Sequence, residues 1–119
     1  MIRAYLLETG PDGGSHVRRG SIRADALVGA QSISFSETPA HASLDWHNAP
    51  AAQYVITLSG TLEFTTRDGE SFVLCPGEVL IATDQTGSGH EWRLVDDAPW
   101  RRAYVIFAPG ADPQFIPDP

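Results

Sequence analysis

Apolar and polar residues alternate along this chain in short runs, and glycine, proline and Asx residues break the runs at fairly even spacing. Eight runs read as strands: "IRAYLLE", "SISFSE", "AAQYVITLS", "TLEFTT", "SFVLC", "EVLIAT", "HEWRLV" and "RRAYVIFA". Each is short and rich in β-branched, aromatic or leucine side chains. Asp68-Gly69 lies between two of them and predicts a tight hairpin. "TGPDGGS", "CPGE" and "QTGSG" mark further turns. No segment carries a sustained apolar stripe at helical spacing, and "RADALVGA" has room for one helical turn at most. The tail "PGADPQFIPDP" is too proline-rich for a central strand and is expected to lie as an extended arm. Many short strands in 119 residues predict one all-β domain, a sandwich or barrel.

Composition narrows the function classes. Apolar residues make up 42% of the chain and charged residues 19%, which suits a packed core. Fifteen acidic residues against 8 basic ones give a formal charge of −7. That balance argues against nucleic acid as a partner, because phosphate recognition needs a basic face. Arg18-Arg19 and Arg101-Arg102 are the only paired basic residues, and both pairs are expected to be solvated guards on strand edges. The single cysteine, Cys75, has no partner for an internal disulfide and is expected as a small buried hydrophobe in a reducing compartment. No stretch is long and apolar enough to suggest a membrane helix, so a cytoplasmic location is expected.

Candidate chemistry centres on histidine. His47 stands just before the strand run "QYVITL", and His90 opens "HEWRLV" after a glycine-containing loop. In a barrel, strand ends remote in sequence converge at one mouth, where two imidazoles and a third polar group can hold a divalent cation. Gln53 is the third candidate. It shares a strand face with Val55 and Thr57, while Tyr54, Ile56 and Leu58 take the opposite face. An amide aimed at an apolar interior needs a partner, since burying it unpaired costs about 1–3 kcal/mol. Trp92 shares a face with His90, so Val55 and Trp92 are expected to wall a substrate pocket. The competing reading makes His47 and His90 hydrogen-bonded strand-end residues. His16 and His41 are expected at the surface or in a strand. Asp45 is expected to be solvated, Asp84 to cap the loop before His90, and Trp46 and Tyr54 to serve core or dimer packing. Glu63 and Glu91 are expected as exposed carboxylates.

These residues resemble the two motifs of the cupin superfamily, G(x)5HxH(x)3–4E(x)6G and G(x)5PxG(x)2H(x)3N. His47 matches the first histidine of the first motif, Ala49 stands in place of the second, Gln53 in place of the glutamate, and Gly60 on the closing glycine. The glycine upstream of His47 is missing. In the second motif Gly77 follows Pro76, His90 matches the histidine, the loop before it is two residues longer, and Leu94 replaces the asparagine. The wording from "HNAPAAQYVITLSG" to "GHEWR", with "DGGSH" near the start, also resembles a subgroup of small single-domain bacterial cupins.

The resemblance implies a double-stranded β-helix, the cupin jelly-roll barrel, as one domain over 1–119, with a core at about 30–108. Residues 1–29 and 109–119 would pack on that core. The resemblance also implies a divalent metal (Fe, Mn, Ni or Zn) held by His47 and His90, with Gln53 either a third ligand or a hydrogen-bonding neighbour of the ion's water, and with His47 and His90 as the catalytic pair. The expected function is an enzyme acting on a small oxygen-rich molecule by dioxygenase, isomerase, cyclase or lyase chemistry. The alternatives are a metal-free enzyme using a pocket histidine as general base, or a non-catalytic small-molecule binder. A homodimer is implied as well, with "IRAYLL" as an edge strand suited to exchange.

Overall fold

The structure is a computed structural model and describes residues 1–119. It contains eleven strands and no helix: β1 (Ile2–Thr9), β2 (Ser15–Ile22), β3 (Ala30–Thr38), β4 (Ser43–His47), β5 (Gln53–Ser59), β6 (Leu62–Thr66), β7 (Ser71–Leu74), β8 (Val79–Ala82), β9 (His90–Leu94), β10 (Trp100–Phe107) and β11 (Phe115–Pro117). A seven-stranded sheet, ordered β11-β2-β1-β8-β5-β10-β3, faces a four-stranded sheet ordered β4-β9-β6-β7. All eight predicted runs are strands. The hairpin at Asp68-Gly69 joins β6 to β7, with Gly69 at φ 89° and the Asp68 carboxylate accepting the Glu70 amide at 3.0 Å.

Period-2 alternation decides which side chains fill the space between the sheets. From the large sheet come Leu7, Val17, Val55, Leu80 and Ala82; from the small sheet come Leu62, Phe64, Phe72, Leu74, Trp92 and Leu94. Burial of each large apolar side chain stabilises the fold by about 1.5–3 kcal/mol, so this layer is the main force joining the sheets. A second cluster covers the outer face of the large sheet. Tyr54, Val79, Ile81 and Phe107 meet Val28, from the β2–β3 connection, and Ala111 and Phe115, from the C-terminal arm. The arm is held by β11 pairing with β2 and by the Tyr54 hydroxyl donating to the Pro113 carbonyl at 2.5 Å.

Three strands escaped the sequence reading. β2 ("SHVRRGSI") looks polar because only Ser15 and Val17, which face inward, and Gly20, covered on the outer side by Phe115, are buried. β4 is short and irregular, and β11 contains proline. One expectation is overturned outright. β1 is not a free edge, because β2 flanks it antiparallel and β8 flanks it parallel, and its Ala4, Leu6 and Leu7 are buried. The edges of the seven-stranded sheet are β11 and β3, and those of the four-stranded sheet are β4 and β7. "RADALVGA" contributes no helical turn.

Candidate functional site

A cavity of about 340 Å³ opens between the sheets, lined by 16 residues, 10 of them hydrophobic. Its floor comes from Val55, Phe64, Leu80, Trp92 and Trp100. His47, Gln53 and His90 all line it, as do Val55 and Trp92. The five residues singled out from the sequence therefore share one hollow.

A break in β4 brings the two imidazoles together. Leu44 pairs with Trp92 of β9 and His47 pairs with His90, so β4 spends one more residue than β9 over the same span. Such a bulge reverses the alternation and re-aims the following side chain. Leu44 and His47 consequently both line the cavity, whereas a regular strand would turn Trp46 inward. Trp46 instead lies under the Arg67 guanidinium, 3.9 Å from ring centroid to Cζ. The His47 and His90 rings are 4.4 Å apart between centroids and inclined at 62°. Gly89 permits this approach. It has φ 75°, and a Cβ there would collide with the His47 carbonyl.

Both imidazoles have one nitrogen committed. His47 Nδ1 lies 2.7 Å from the Asp45 carbonyl oxygen, which can only accept, so Nδ1 carries the proton. His90 Nδ1 lies 2.5 Å from Asp84 Oδ2, which also accepts the Ser15 hydroxyl at 2.6 Å. Accepting at Oδ2, Asp84 places a proton on His90 Nδ1 as well. In the neutral form of each ring Nε2 then keeps a lone pair. The His47 pKa is lowered, first by burial and also by the neighbouring His90, while the Asp45 carbonyl and Asp84 pull the other way. His47 is therefore neutral at pH 7.

Asp84 does not cap the loop's backbone as expected from the sequence; its carboxylate accepts from the Ser15 hydroxyl and His90 and from no loop amide. Its carboxylate is 0% exposed, and Oδ1 has no hydrogen-bond partner in the protein. The carboxylate is tied into the core between β8 and β9, and its backbone carbonyl accepts the Ala49 amide at 3.1 Å. The "DGGSH" turn delivers Ser15 to it from the β1–β2 hairpin. Nothing in the spacing of Ser15, Asp84 and His90 identifies this trio, because its members come from three separate strands or loops.

The donor set suits a divalent cation in two respects. Both histidines show the hydrogen-bond pattern that orients metal ligands, one to a carboxylate and one to a carbonyl. The buried Asp84 carboxylate, moreover, has His90 as its one ionisable partner and leaves Oδ1 unpaired, and a positive ion on His90 would add a compensating charge. Gln53 is buried and lines the cavity with no protein hydrogen bond to its amide. Ala49 is also buried there, so the position where the family motif has its second histidine presents a methyl group to the cavity.

The remaining candidates fall elsewhere. His16 is bound by Asp12 at 2.9 Å through Nε2 and by Asp68 at 3.1 Å through Nδ1, with Glu70 at 4.0 Å. Carboxylates on both ring nitrogens raise its pKa and make it an imidazolium linking two hairpins. His41 is exposed and pairs with Asp97 at 3.1 Å. Asp45 is exposed, its carboxylate accepting the Trp46 amide, and serves the site through its carbonyl alone. Tyr54 belongs to the outer apolar cluster. Glu63 pairs with Arg93 at 2.9 Å, and neither it nor Glu91 reaches the cavity. Cys75 is half-buried rather than buried; desolvation and nearby Glu78 raise its pKa, which keeps the thiol protonated.

The two arginine pairs lie on β2 and β10, which have neighbours on both sides, so they do not guard sheet edges; the expected exposure holds for three of the four. Arg18, Arg19 and Arg101 are exposed, Arg101 bonding Glu37 at 2.5 Å. Arg102 is buried and lines the cavity. Strand alternation explains the split: neighbours on β10 must point to opposite faces. In comparisons with models of known families and with curated proteins, nothing matches the chain.

Proposed function

We propose that this protein is a metal-dependent enzyme of the cupin type, acting on a small oxygen-bearing organic molecule held in the cavity between its sheets. The observation that carries the reading is the pair of adjacent imidazoles, each with Nδ1 donated to a fixed acceptor and Nε2 left with its lone pair. Two imidazoles 4.4 Å apart between centroids, each with Nε2 unused by the protein, are close enough to share one cation in an apolar cavity. His47 and His90 would hold the ion, with the Gln53 amide oxygen as a weaker third donor. A bound divalent ion supplies Lewis-acid polarisation of a carbonyl or enolate and, if it is iron, electron transfer to dioxygen.

The protein's own residues do the rest. Asp84 and Ser15 lock the His90 ring, and the Asp45 carbonyl locks His47, so neither imidazole pays reorientation entropy on binding. Trp92, Phe64 and Leu80 exclude water and strengthen electrostatic interactions at the imidazoles. The Gln53 amide can fix a substrate oxygen by hydrogen bonding.

The test is a panel of enols, hydroxy acids and aromatic diols given to protein loaded in turn with iron, manganese, nickel or zinc. Ultraviolet absorbance and dissolved oxygen are followed together. Turnover with oxygen uptake indicates a dioxygenase, and turnover without it an isomerase or lyase. No turnover with any metal across the panel contradicts the reading.

One observation favours a second reading. The cavity offers two imidazoles and no carboxylate or thiolate as a direct third ligand. Without metal, the Asp84-backed His90 is a general base, its imidazolium form stabilised by the buried carboxylate. Turnover that survives chelation and is lost in His90→Gln would select this reading. The homodimer is proposed through β3, an unpaired sheet edge that exposes Ile33 and Phe35.

A further inference from the structure

We infer that the cavity takes an organic acid, with Arg102 as the docking point for its carboxylate. The inference gives the substrate class of the site described above and so rests on that reading. It begins from an unbalanced charge. Arg102 is 8% exposed, yet no Asp or Glu pairs with it. All its hydrogen bonds go to neutral oxygens: Nε to the Tyr104 hydroxyl at 3.0 Å, and Nη1 to the Thr38 hydroxyl at 2.6 Å and the Trp100 carbonyl at 3.0 Å. The guanidinium lies over the Trp100 ring at 3.9 Å, which holds it flat. Nη2 is left without an acceptor in the protein. A buried cation so placed carries a desolvation penalty that an anion in the cavity would relieve.

The neighbours of Arg102 complete an anion seat. The Tyr104 hydroxyl accepts from Nε, so its own proton is free to be donated, and Tyr104 lines the same cavity. Ser34 on β3 adds a hydroxyl to the lining. Register fixes where this seat lies relative to the histidines. Along paired β5 and β10, Gln53 faces Ile106, Val55 faces Tyr104 and Thr57 faces Arg102. Gln53 and the imidazoles therefore mark one end, Arg102 the other, and the Val55–Tyr104 step separates them. Each two-residue step along a strand is about 7 Å. A molecule bridging the ends has a carboxylate at one end, a flat apolar body against Trp92 and Trp100, and an oxygen function at the other end. A carboxylate oxygen is a natural acceptor for the free Nη2, with the Tyr104 hydroxyl as a second donor beside it, and a charge-assisted bond here is worth about tenfold or more in affinity.

The experiment compares acids with their neutral amides: benzoate with benzamide, phenylacetate with phenylacetamide, cinnamate with cinnamamide. Chelator-treated protein is used, so the result does not depend on whether a metal binds. Trp92 and Trp100 fluorescence reports occupancy. At least one acid should bind about tenfold or more tightly than its amide. Arg102→Gln should remove that preference while amide binding remains, and Arg102→Lys should restore part of it. Inorganic phosphate, which lacks the apolar body, should compete at least tenfold more weakly than the preferred acid. Equal binding of every acid and its amide overturns the inference, as does a preference that Arg102→Gln leaves intact. Should Arg102→Gln fail to fold, the comparison of wild type with Arg102→Lys and Tyr104→Phe decides: an acid preference unchanged in both overturns it.

Discussion

Asp84 is the residue whose chemistry the site can least do without. It is fully buried, holds His90 and Ser15, and leaves Oδ1 unpaired. Asp84→Asn keeps the shape but removes the charge and offers His90 Nδ1 an ambiguous partner. Metal affinity should fall about 10–100-fold, the usual cost of losing such a support; isothermal titration with Zn(II) checks this, and unchanged affinity would separate Asp84 from the metal site. Ala49 yields the opposite prediction. Its methyl lines the cavity near the imidazoles, so Ala49→His should add a third nitrogen donor and raise metal affinity by about tenfold or more. Histidine also sets the pH response, with two opposite signs. The folded pKa of His47 lies below its unfolded value, so the unfolded chain takes up that proton first and stability declines as pH falls through about 6.5. The folded pKa of His16 lies above its unfolded value, so its contribution is complete at low pH and is lost as pH rises through the folded pKa. Urea melts of His16→Gln from pH 5.5 to 9 should show a deficit against wild type at the acid end that vanishes at the alkaline end. A deficit constant across that range would contradict the assignment.

At the scale of the element, the β4 bulge and the loop before β9 decide whether the imidazoles meet. Gly89 sits at φ 75° with the His47 backbone where a Cβ would go. Gly89→Ala should cost about 1–3 kcal/mol in urea denaturation and push the two rings apart. A neutral result would show that the loop yields more easily than its geometry implies. These elements also show how far a sequence can be read. Period 2 predicts β5 well, with Gln53 and Val55 inward and Tyr54 outward, because a sheet face buried on one side enforces alternation. The same rule cannot place His47, because a bulge is a one-residue slip with no mark in "SLDWH". The convergence of strand ends at a barrel mouth, and the cupin resemblance, join His47 to His90; periodicity does not. Arg102 was misplaced because a pair of arginines looks like surface, although alternation requires one of the two to face inward. Ser15 and Asp84 were out of reach since their contact spans distant loops.

At the scale of the whole molecule, the all-β character was legible from punctuation and run length alone. The order of strands was not. β1 joins β8 in parallel across most of the chain, a pairing no local signal encodes, and it removes "IRAYLL" from the edge. Of the edge strands, β3 exposes the most apolar surface, with Ile33 and Phe35 at 61% and 70%. Phe35→Lys places a charge on that edge and should convert a dimer to a monomer in light scattering without lowering the melting temperature. A monomeric wild type would remove the dimer from the account.

The claim on which the functional reading depends is that His47 and His90 share one ion. Equilibrium dialysis of the protein against micromolar Fe(II), Mn(II), Ni(II) and Zn(II) measures it directly. The reading predicts about one ion per chain for at least one metal, and loss of that ion in both His47→Ala and His90→Ala while His41→Ala retains it. No binding of any of the four, or binding that both cavity variants preserve, would contradict it.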